Sequence, residues 1–492
     1  MLKEKTNIWA IGISLIFIAA NLILIAFDIY YLNFLPLVII FLVLAFFSID
    51  TLFYLVVLLV PFSVPLRWIV PNLPIDFYIP TEPLLFGLLL IFIYKSLLGQ
   101  KIDKKILFHP VSFAIYFSLL WLFITSVTST MPLVSFKFLL ARIWYIVVFY
   151  FLATELFKKY QNTEKFVWLY LIPLIIVIFY NIARLSGHGL FDQKAAHSSI
   201  RPFFNDHTSY GAVISMFIPL IINFATLKGN KFTGYKTILW ILVALFIFAL
   251  VLSYSRAAWV SVVAVTGIWI VVKLKIKFRT LVMIIAIFGI YLASFLPGML
   301  MKMEKNRQES SADFTEHVQS IANIKSDASN VERLNRWACA FQMFKEKPVA
   351  GWGPGTYMFQ YAPYQFSYNR TIISTNMGDW GNAHSEYIGP LAESGVLGPV
   401  TFVLIIIAVF ITALRVYKNS EDKRVKRLSI SLLLGLSTYF IHGTLNNFLD
   451  SDKASAPFWG FIGIIVALDI FHKNSKESTE STLQEGGFNI RH

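Results

Sequence analysis

Residues Trp9–Ala26 read WAIGISLIFIAANLILIA, a run without a single charge. A helix that crosses a bilayer needs roughly 20 mostly apolar residues, and runs of this kind recur along the chain as far as Phe458–Phe471. Composition agrees: 57% of the 492 residues are hydrophobic, 16% aromatic and only 14% charged, whereas a soluble domain carries about 25% charge. The expected fold is an all-α polytopic membrane protein. A soluble enzyme, a secreted disulfide scaffold and a disordered regulator are excluded as readings of the whole chain.

The apolar runs predict about 14 spans, near residues 8–26, 34–48, 51–65, 83–98, 110–127, 137–157, 166–183, 208–226, 237–252, 258–272, 280–296, 397–414, 428–445 and 456–471. Net charge is +14, from 42 Lys and Arg against 28 Asp and Glu. In a soluble chain that excess suggests nucleic acid. Here Lys and Arg crowd into short connectors such as Lys101–Lys105, Lys273–Arg279 and Arg415–Arg427, the distribution of cytoplasmic loops. No nucleic-acid partner is needed to explain them. With the N-terminus inside, the cytoplasmic connectors hold about twenty basic residues and the external ones about six, which also places the C-terminus inside. Cys339 is the single cysteine and forms no intramolecular disulfide. The first run lacks a small-residue cleavage site and another follows at once, so it is expected to be retained.

This reading divides the chain into N-terminal spans (1–183), spans with external Arg-bearing loops (184–296), a large external loop (297–396), C-terminal spans (397–471) and a Ser/Glu-rich tail expected to be disordered (472–492). The large loop carries a helix signal of its own. Ser329-x-x-Glu332 is a capping box, and Val331, Leu334, Ala338 and Phe341 follow at helical spacing. Trp337 and Phe344 widen the stripe and Pro348 ends it, so the helix is expected on the membrane surface or against the bundle. The aromatic-rich turn Gly351-Trp-Gly-Pro-Gly355 follows.

Charged residues at span ends are costly and are functional candidates by default. Arg201 heads Arg201-Pro-Phe-Phe-Asn-Asp-His-Thr208, Arg256 lies in the short turn Ser253-Tyr-Ser-Arg-Ala257, Arg333 is on the loop helix, and His384 sits in Asn382-Ala-His-Ser-Glu386. Taken singly, each has a plain structural use. An arginine at a span end snorkels to lipid headgroups, Arg333 pairs with a neighbouring acid, and a lone histidine is a satisfied interface residue. Gathered together, guanidinium groups beside one imidazole suit a lipid diphosphate, because arginine offers permanent charge and bidentate hydrogen bonds to phosphate. His188, His197 and His207 stand nine and ten residues apart, which matches no compact metal-ligand pattern. No glycine-rich phosphate loop appears either.

His384-Ser385, then nine residues, then Gly395-Val-Leu-Gly398, resembles the His-[Asn/Ser/Gln]-x9-Gly-x-x-Gly signature of the bacterial O-antigen ligase family. Pro399 departs from the Gly, Thr or Tyr usual at the next position. Three further stretches resemble blocks of that family: Arg201 with Asn205, Ser255-Arg256, and Arg333 through Trp337 to Gly351-Trp-Gly-Pro-Gly355. The resemblance covers roughly residues 190–450, and the first seven spans match only in hydrophobicity.

The resemblance implies an inner-membrane glycosyltransferase that uses neither metal nor nucleotide. It moves a glycan from undecaprenyl diphosphate to an acceptor hydroxyl at the periplasmic face, usually on the lipid A core. By the same resemblance Arg201 and Arg256 hold the diphosphate, with Arg333 and Asn205 nearby, and His384 is essential. An acidic residue in the last external loop recurs in the family, and Asp450 and Asp452 both qualify. Chemistry agrees with this assignment. Cleavage leaves charge on a diphosphate that preorganised cations must stabilise, and a neutral histidine is a suitable base for the acceptor hydroxyl; Glu386 is the substitute base.

Three rivals remain open. A Wzy-type polymerase often shows Arg-x10-Gly in external loops, and Arg370 with Gly381 fits; yet with 25 glycines in 492 residues about one Arg in twenty meets a Gly at that spacing by chance, and the large loop has several. A protein O-oligosaccharyltransferase is the second. A transporter or lipid flippase is the third, although transporters place ionisable residues near the midplane in matched halves.

Overall fold

The computed structural model describes residues 2–27, 31–36, 39, 48–70, 77–99, 101–227, 233–276, 279–280, 283, 328–365 and 381–473. The expected span at 280–296 (apart from 280 and 283), most of that at 34–48, residues 297–327 of the large loop, Arg370 and the tail after 473 lie outside them. The chain divides into two compact units, Met1–Leu55 and Val56–His492.

The first unit contains α1 (Leu2–Ala26) and the start of α2 (Ile49–Leu59). Asn21, in the second half of α1, donates from Nδ2 to Asn33 Oδ1 over 2.6 Å. That gives the amide nitrogen a partner which lipid cannot supply.

The second unit holds α3 (Thr81–Leu97), α4 (Pro110–Val127), α5 (Pro132–Ile146, continued through a π turn to Leu156), α6 (Tyr160–Ser186) and α7 (Gln193–Ser199). After these come α8 (His207–Thr226), α9 (Thr233–Leu252), α10 (Arg256–Lys273), α11 (Ala328–Glu346) and α12 (Ile388–Ser394). Three helices close the chain: α13 (Leu397–Asn419), α14 (Lys423–His442) and α15 (Asp452–Ala467, with a π turn to His472). One small antiparallel ladder joins β1 (Val64–Pro65) to β2 (Tyr78–Ile79), with Val64 opposite Ile79. Helix starts follow local chemistry. Pro110 and Pro132 occupy first-turn positions where no N–H is missed, and Asp192, Asp206 and Asp422 cap α7, α8 and α14 with their carboxylates.

Burial sorts the helices. In α8 and α15, 83% of the most apolar window is inside the protein, against 22% in α10 and 28% in α4. The first two are therefore central, and the others present apolar faces outward, as a membrane bundle requires. α14 runs along α8, and α13 lies between α4 and α14. Two interior charges are held by neutral hydrogen-bonding groups: Lys453 Nζ donates to the carbonyls of Val60 (2.5 Å) and Ser63 (2.7 Å) and to Ser63 Oγ, while Asp452 Oδ2 accepts from the hydroxyls of Ser63 and Thr81.

Among the described residues eight helices are long and apolar enough to cross a membrane, against the 14 expected. Ile11–Ala26, Ile49–Phe62 and Thr81–Leu97 are apolar but shorter, and α14 opens with Lys423, Arg424, Lys426 and Arg427, which dilute its hydropathy although most of its length is buried.

At one end of the unit Asp469 accepts from Arg415 (3.2 Å) and Lys473 (3.3 Å) and meets His109 (3.3 Å). At the other, the α6–α8, α9–α10 and α14–α15 connectors meet α11 and α12 through the contacts described next.

Candidate functional site

α8 begins where Asp206 Oδ1 accepts from the backbone N–H groups of Thr208 and Ser209, both at 2.8 Å. Burial alone would raise the Asp206 carboxyl; the Ser209 and Thr208 hydrogen bonds and the neighbouring His207 outweigh it and hold the group below its ordinary value. His207, next in the chain, donates through Nδ1 to the Ser253 carbonyl (2.8 Å) and stacks on His197 with ring centroids 4.2 Å apart. The α9–α10 turn is thereby joined to the start of α8. Arg256 is the first residue of α10 and is half-buried. Its charge reaches His197, whose imidazole is lowered mainly by burial and further by Arg256, with Asp206 opposing.

The loop helix α11 starts at Ala328, and Glu332 is spent on Arg336 (Oε1 to Nε, 2.6 Å). Its inward face differs from the one expected. Glu332, Asn335, Arg336, Cys339, Ala340 and Met343 are buried, whereas Leu334 and Phe341 of the apolar stripe are 38% and 46% exposed. Burying this polar face is tolerable because it finds partners beyond the helix: Asn335 donates to Gln365 Oε1 (3.1 Å), and the Arg336 guanidinium lies 3.9 Å from the Tyr361 ring centre. Arg333, on the same helix, donates from Nε to the Leu445 carbonyl at 3.2 Å. Gly381 leaves room for Arg336, since a Cβ there would lie 2.0 Å from Nη1; packing alone thus accounts for the glycine of the Arg-x10-Gly spacing.

The segment Asn382–Tyr387 is fastened by every polar side chain except one. Asn382 Oδ1 accepts from the His384 N–H (3.0 Å), and Ser385 Oγ accepts from the Tyr387 and Ile388 N–H groups (3.2 Å each). Glu386 Oε1 accepts from Tyr439 Oη (2.6 Å) and from the Phe448 and Leu449 N–H groups (2.9 and 3.0 Å). His384 is the exception. Its backbone is left-handed, φ 49°, a conformation rare outside glycine and frequent at functional positions. No hydrogen bond reaches its ring among the described residues. Burial first, then the charges of Arg333 and Arg336, push the imidazole down to about 4, against a smaller pull from Asp206. The two motif glycines serve packing. Gly395 has φ 66°, with the Val349 carbonyl 1.9 Å from where a Cβ would stand, and Gly398 faces the Pro390 carbonyl at 2.4 Å.

Residues 241–403 match the O-antigen ligase family model. The match supports the O-antigen ligase family for this chain and, with the membrane-type helices, an O-antigen ligase or polymerase type of membrane glycosyltransferase. The matched O-antigen ligase region runs from α9 into α13 and takes in Arg256, Arg333 and His384, while Arg201, Asn205, Asp450 and Asp452 lie outside it. A search of curated proteins finds no match to the chain.

Within that frame the expected residues separate into groups. Asp206 acts electrostatically on His197, His384 and Asp450 alike, while Arg256 acts on His197 and Arg333 on His384. Asp450 reaches solvent yet sits among the surrounding loops; burial, then Glu386, push its carboxyl up to about 6, with Arg142 opposing. Asp452 lies elsewhere, wholly buried among hydroxyls. Arg201 stands at the margin: Nε donates to the Asn205 carbonyl (3.1 Å), the guanidinium lies 5.4 Å from the Trp68 ring centre, and Asn205 Nδ2 donates to Tyr78 Oη (2.6 Å). Glu386 is occupied in holding the α14–α15 connector.

Five residues belong to this neighbourhood that sequence reasoning passed over: Asp206, Arg336, His442, Arg142 and Glu393. Asp206 carried a signal, an acid directly before an apolar run in an otherwise basic segment. His442 bonds Asn446 through Nε2 (3.1 Å). Arg142 donates to the Leu449 carbonyl (3.1 Å) and lines a narrow pocket with Glu386 and Glu393. Burial pushes Glu393 up to about 7 even though its carboxylate accepts from the Tyr357 N–H at 3.0 Å. An arginine and a glutamate some 250 residues apart give no local pattern that would pair them.

Proposed function

We propose that the chain transfers a glycan from undecaprenyl diphosphate to an acceptor hydroxyl, most simply one on the lipid A core, at the periplasmic face of the inner membrane. The observation that carries this reading is the His384 imidazole: half-buried, bearing no hydrogen bond on its ring among the described residues, and lowered by burial and by the charges of Arg333 and Arg336. A neutral ring can take a proton, and fixed cations beside it favour negative charge developing on a neighbouring group.

In the proposed reaction the acceptor O–H gives its proton to an imidazole nitrogen of His384 as its oxygen bonds to the anomeric carbon. The bond from that carbon to the diphosphate oxygen breaks, and the electron pair leaves with the diphosphate. Arg256 and Arg201 hold the leaving group, with Arg333 assisting. Removal of one such donor costs about 3–4 kcal/mol of barrier. Asn205 supports Arg201 by shaping the turn between them, Glu386 positions the segment that carries His384, and Asp450 rather than Asp452 is the acidic partner, because it alone of the two lies beside Asp206 and Glu386.

The test is transfer by the purified protein in detergent, supplied with undecaprenyl-diphosphate glycan and core acceptor lacking polymer. A covalent product supports the reading; none, with intact donor recovered, removes it. Gene deletion separates the relatives. Loss of a ligase leaves bare core and accumulated lipid-linked glycan, loss of a polymerase leaves core bearing one unit, and a protein-directed enzyme changes glycoproteins alone.

A further inference from the structure

A recess of about 260 Å3 opens between the last turn of α6 and α7, lined by Arg184, His188, Asp192, Ala195, Ser198 and Ser199. That is many times the 10–15 Å3 sufficient for one water. Two hydrogen bonds tie its walls to the arginine-bearing segments. On one side Arg184 Nη1 donates to the Arg201 carbonyl (2.5 Å) and to Tyr180 Oη (3.1 Å). On the other, Tyr254 Oη donates to the Phe191 carbonyl (2.8 Å), two residues before Arg256. Leu185, Ala196, Leu252 and Tyr254 pack together beneath. The recess is thus built into the same scaffold as both proposed diphosphate ligands.

Its chemistry suits an uncharged, hydroxyl-rich ligand. Arg184 keeps its Nε and Nη2 hydrogens without a partner among the described residues, since only Nη1 is engaged. Asp192 uses Oδ1 to cap the Ala195 N–H (3.1 Å) and leaves Oδ2 open. Ser198 and His188 add a hydroxyl and an imidazole, both exposed. One guanidinium and one carboxylate cancel, so an anion gains little from Arg184 before it meets Asp192. A sugar ring suits both: its hydroxyls donate to the carboxylate and accept from the guanidinium. Phe191, 63% exposed beside the recess, offers a ring face for the apolar side of a pyranose.

We propose that this recess binds a sugar residue of the donor glycan close to its diphosphate end, and so selects which glycan is transferred. The proposal rests on the donor reading above. The test uses the full-length protein in detergent and, as probe, the glycan released by mild acid from the lipid-linked pool of cells lacking the protein. Its binding is followed by saturation-transfer NMR. Asp192→Asn with Ser198→Ala keeps a capping oxygen at position 192 and is expected to weaken glycan binding and raise the donor KM about tenfold, with kcat and melting temperature unchanged. Lys194→Ala, on the same helix but outside the recess, is the control.

Wild-type binding that the double variant leaves unaltered overturns the proposal, as does a kcat loss accompanied by a lower melting temperature, which marks a structural role. Displacement of the glycan by inorganic phosphate also overturns it, since that marks an anion site. Failure of transfer with glycan binding intact and sensitive to the variant sinks the donor reading and keeps the recess.

Discussion

Arg333 donates its Nε hydrogen to the Leu445 carbonyl over 3.2 Å, and this one bond ties the helix of the long polar segment to the α14–α15 connector that carries Asp450. Burial is the main cause of the lowered His384 imidazole, and the same guanidinium adds to it. An arginine on a loop helix therefore docks that helix and contributes to the lowering of an imidazole.

Replacing His384 tests the proton acceptor. His384→Ala and His384→Asn are each expected to lower transfer by 10²–10⁴-fold, the range for loss of a general base, with donor binding unchanged. Asparagine is the better-behaved variant, because it tolerates the left-handed backbone that position 384 adopts. Product formation at the unsubstituted rate would take His384 out of the chemistry.

The pH profile follows from the lowered imidazole. The acid limb of kcat/KM is expected near pH 4, where His384 gains its proton, and not near the ordinary 6.5. Arg333→Gln removes one of the charges responsible and should move the limb upward. Stability changes in the matching direction. The unfolded chain binds this proton first, so the contribution of His384 to stability falls as pH drops from 6.5 through 4. A limb near 6 that vanishes in Asp450→Asn would transfer the role of base to Asp450, whose carboxyl is pushed up to that value.

Arg256→Ala and Arg201→Ala should each reduce kcat by 10²–10³-fold as leaving-group stabilisation is lost, measured at saturating donor. Lysine at 256 should recover part of the loss, since it keeps the charge without the bidentate fork. Equal rates for alanine and arginine at both positions would leave the diphosphate without its proposed ligands.

Glu386 offers the contrasting outcome. Its Oε1 accepts three hydrogen bonds from Tyr439, Phe448 and Leu449, so Glu386→Gln should cost about 1–3 kcal/mol of stability and appear as a lower melting temperature in detergent. Activity per folded molecule should change far less than in the His384 variants. A full loss of transfer at an unchanged melting temperature would instead make Glu386 a participant in the reaction.

Hydrophobic run length, together with the need to satisfy every backbone group inside lipid, was enough to place a helical membrane bundle in the primary sequence, and the spacing from His384 to Gly398 was enough to point at the O-antigen ligase family, whose model matches residues 241–403. The expected span at 428–445 falls in helix α14, whose opening basic turn keeps it out of the eight helices apolar enough to cross a membrane. What folding alone decided is which charges meet. Asp450 and Asp452 are equivalent on paper, yet one stands beside Asp206 and Glu386 and the other is sealed among the hydroxyls of Ser63 and Thr81. The loop helix turns its polar side inward because Glu332 and Arg336, four residues apart, neutralise each other there, and periodicity cannot register that pairing as burial. Electrostatic partnership depends on distance through space, and in this chain Arg333 meets Leu445 across more than a hundred residues of backbone, while Glu386 meets Tyr439, Phe448 and Leu449 across more than fifty.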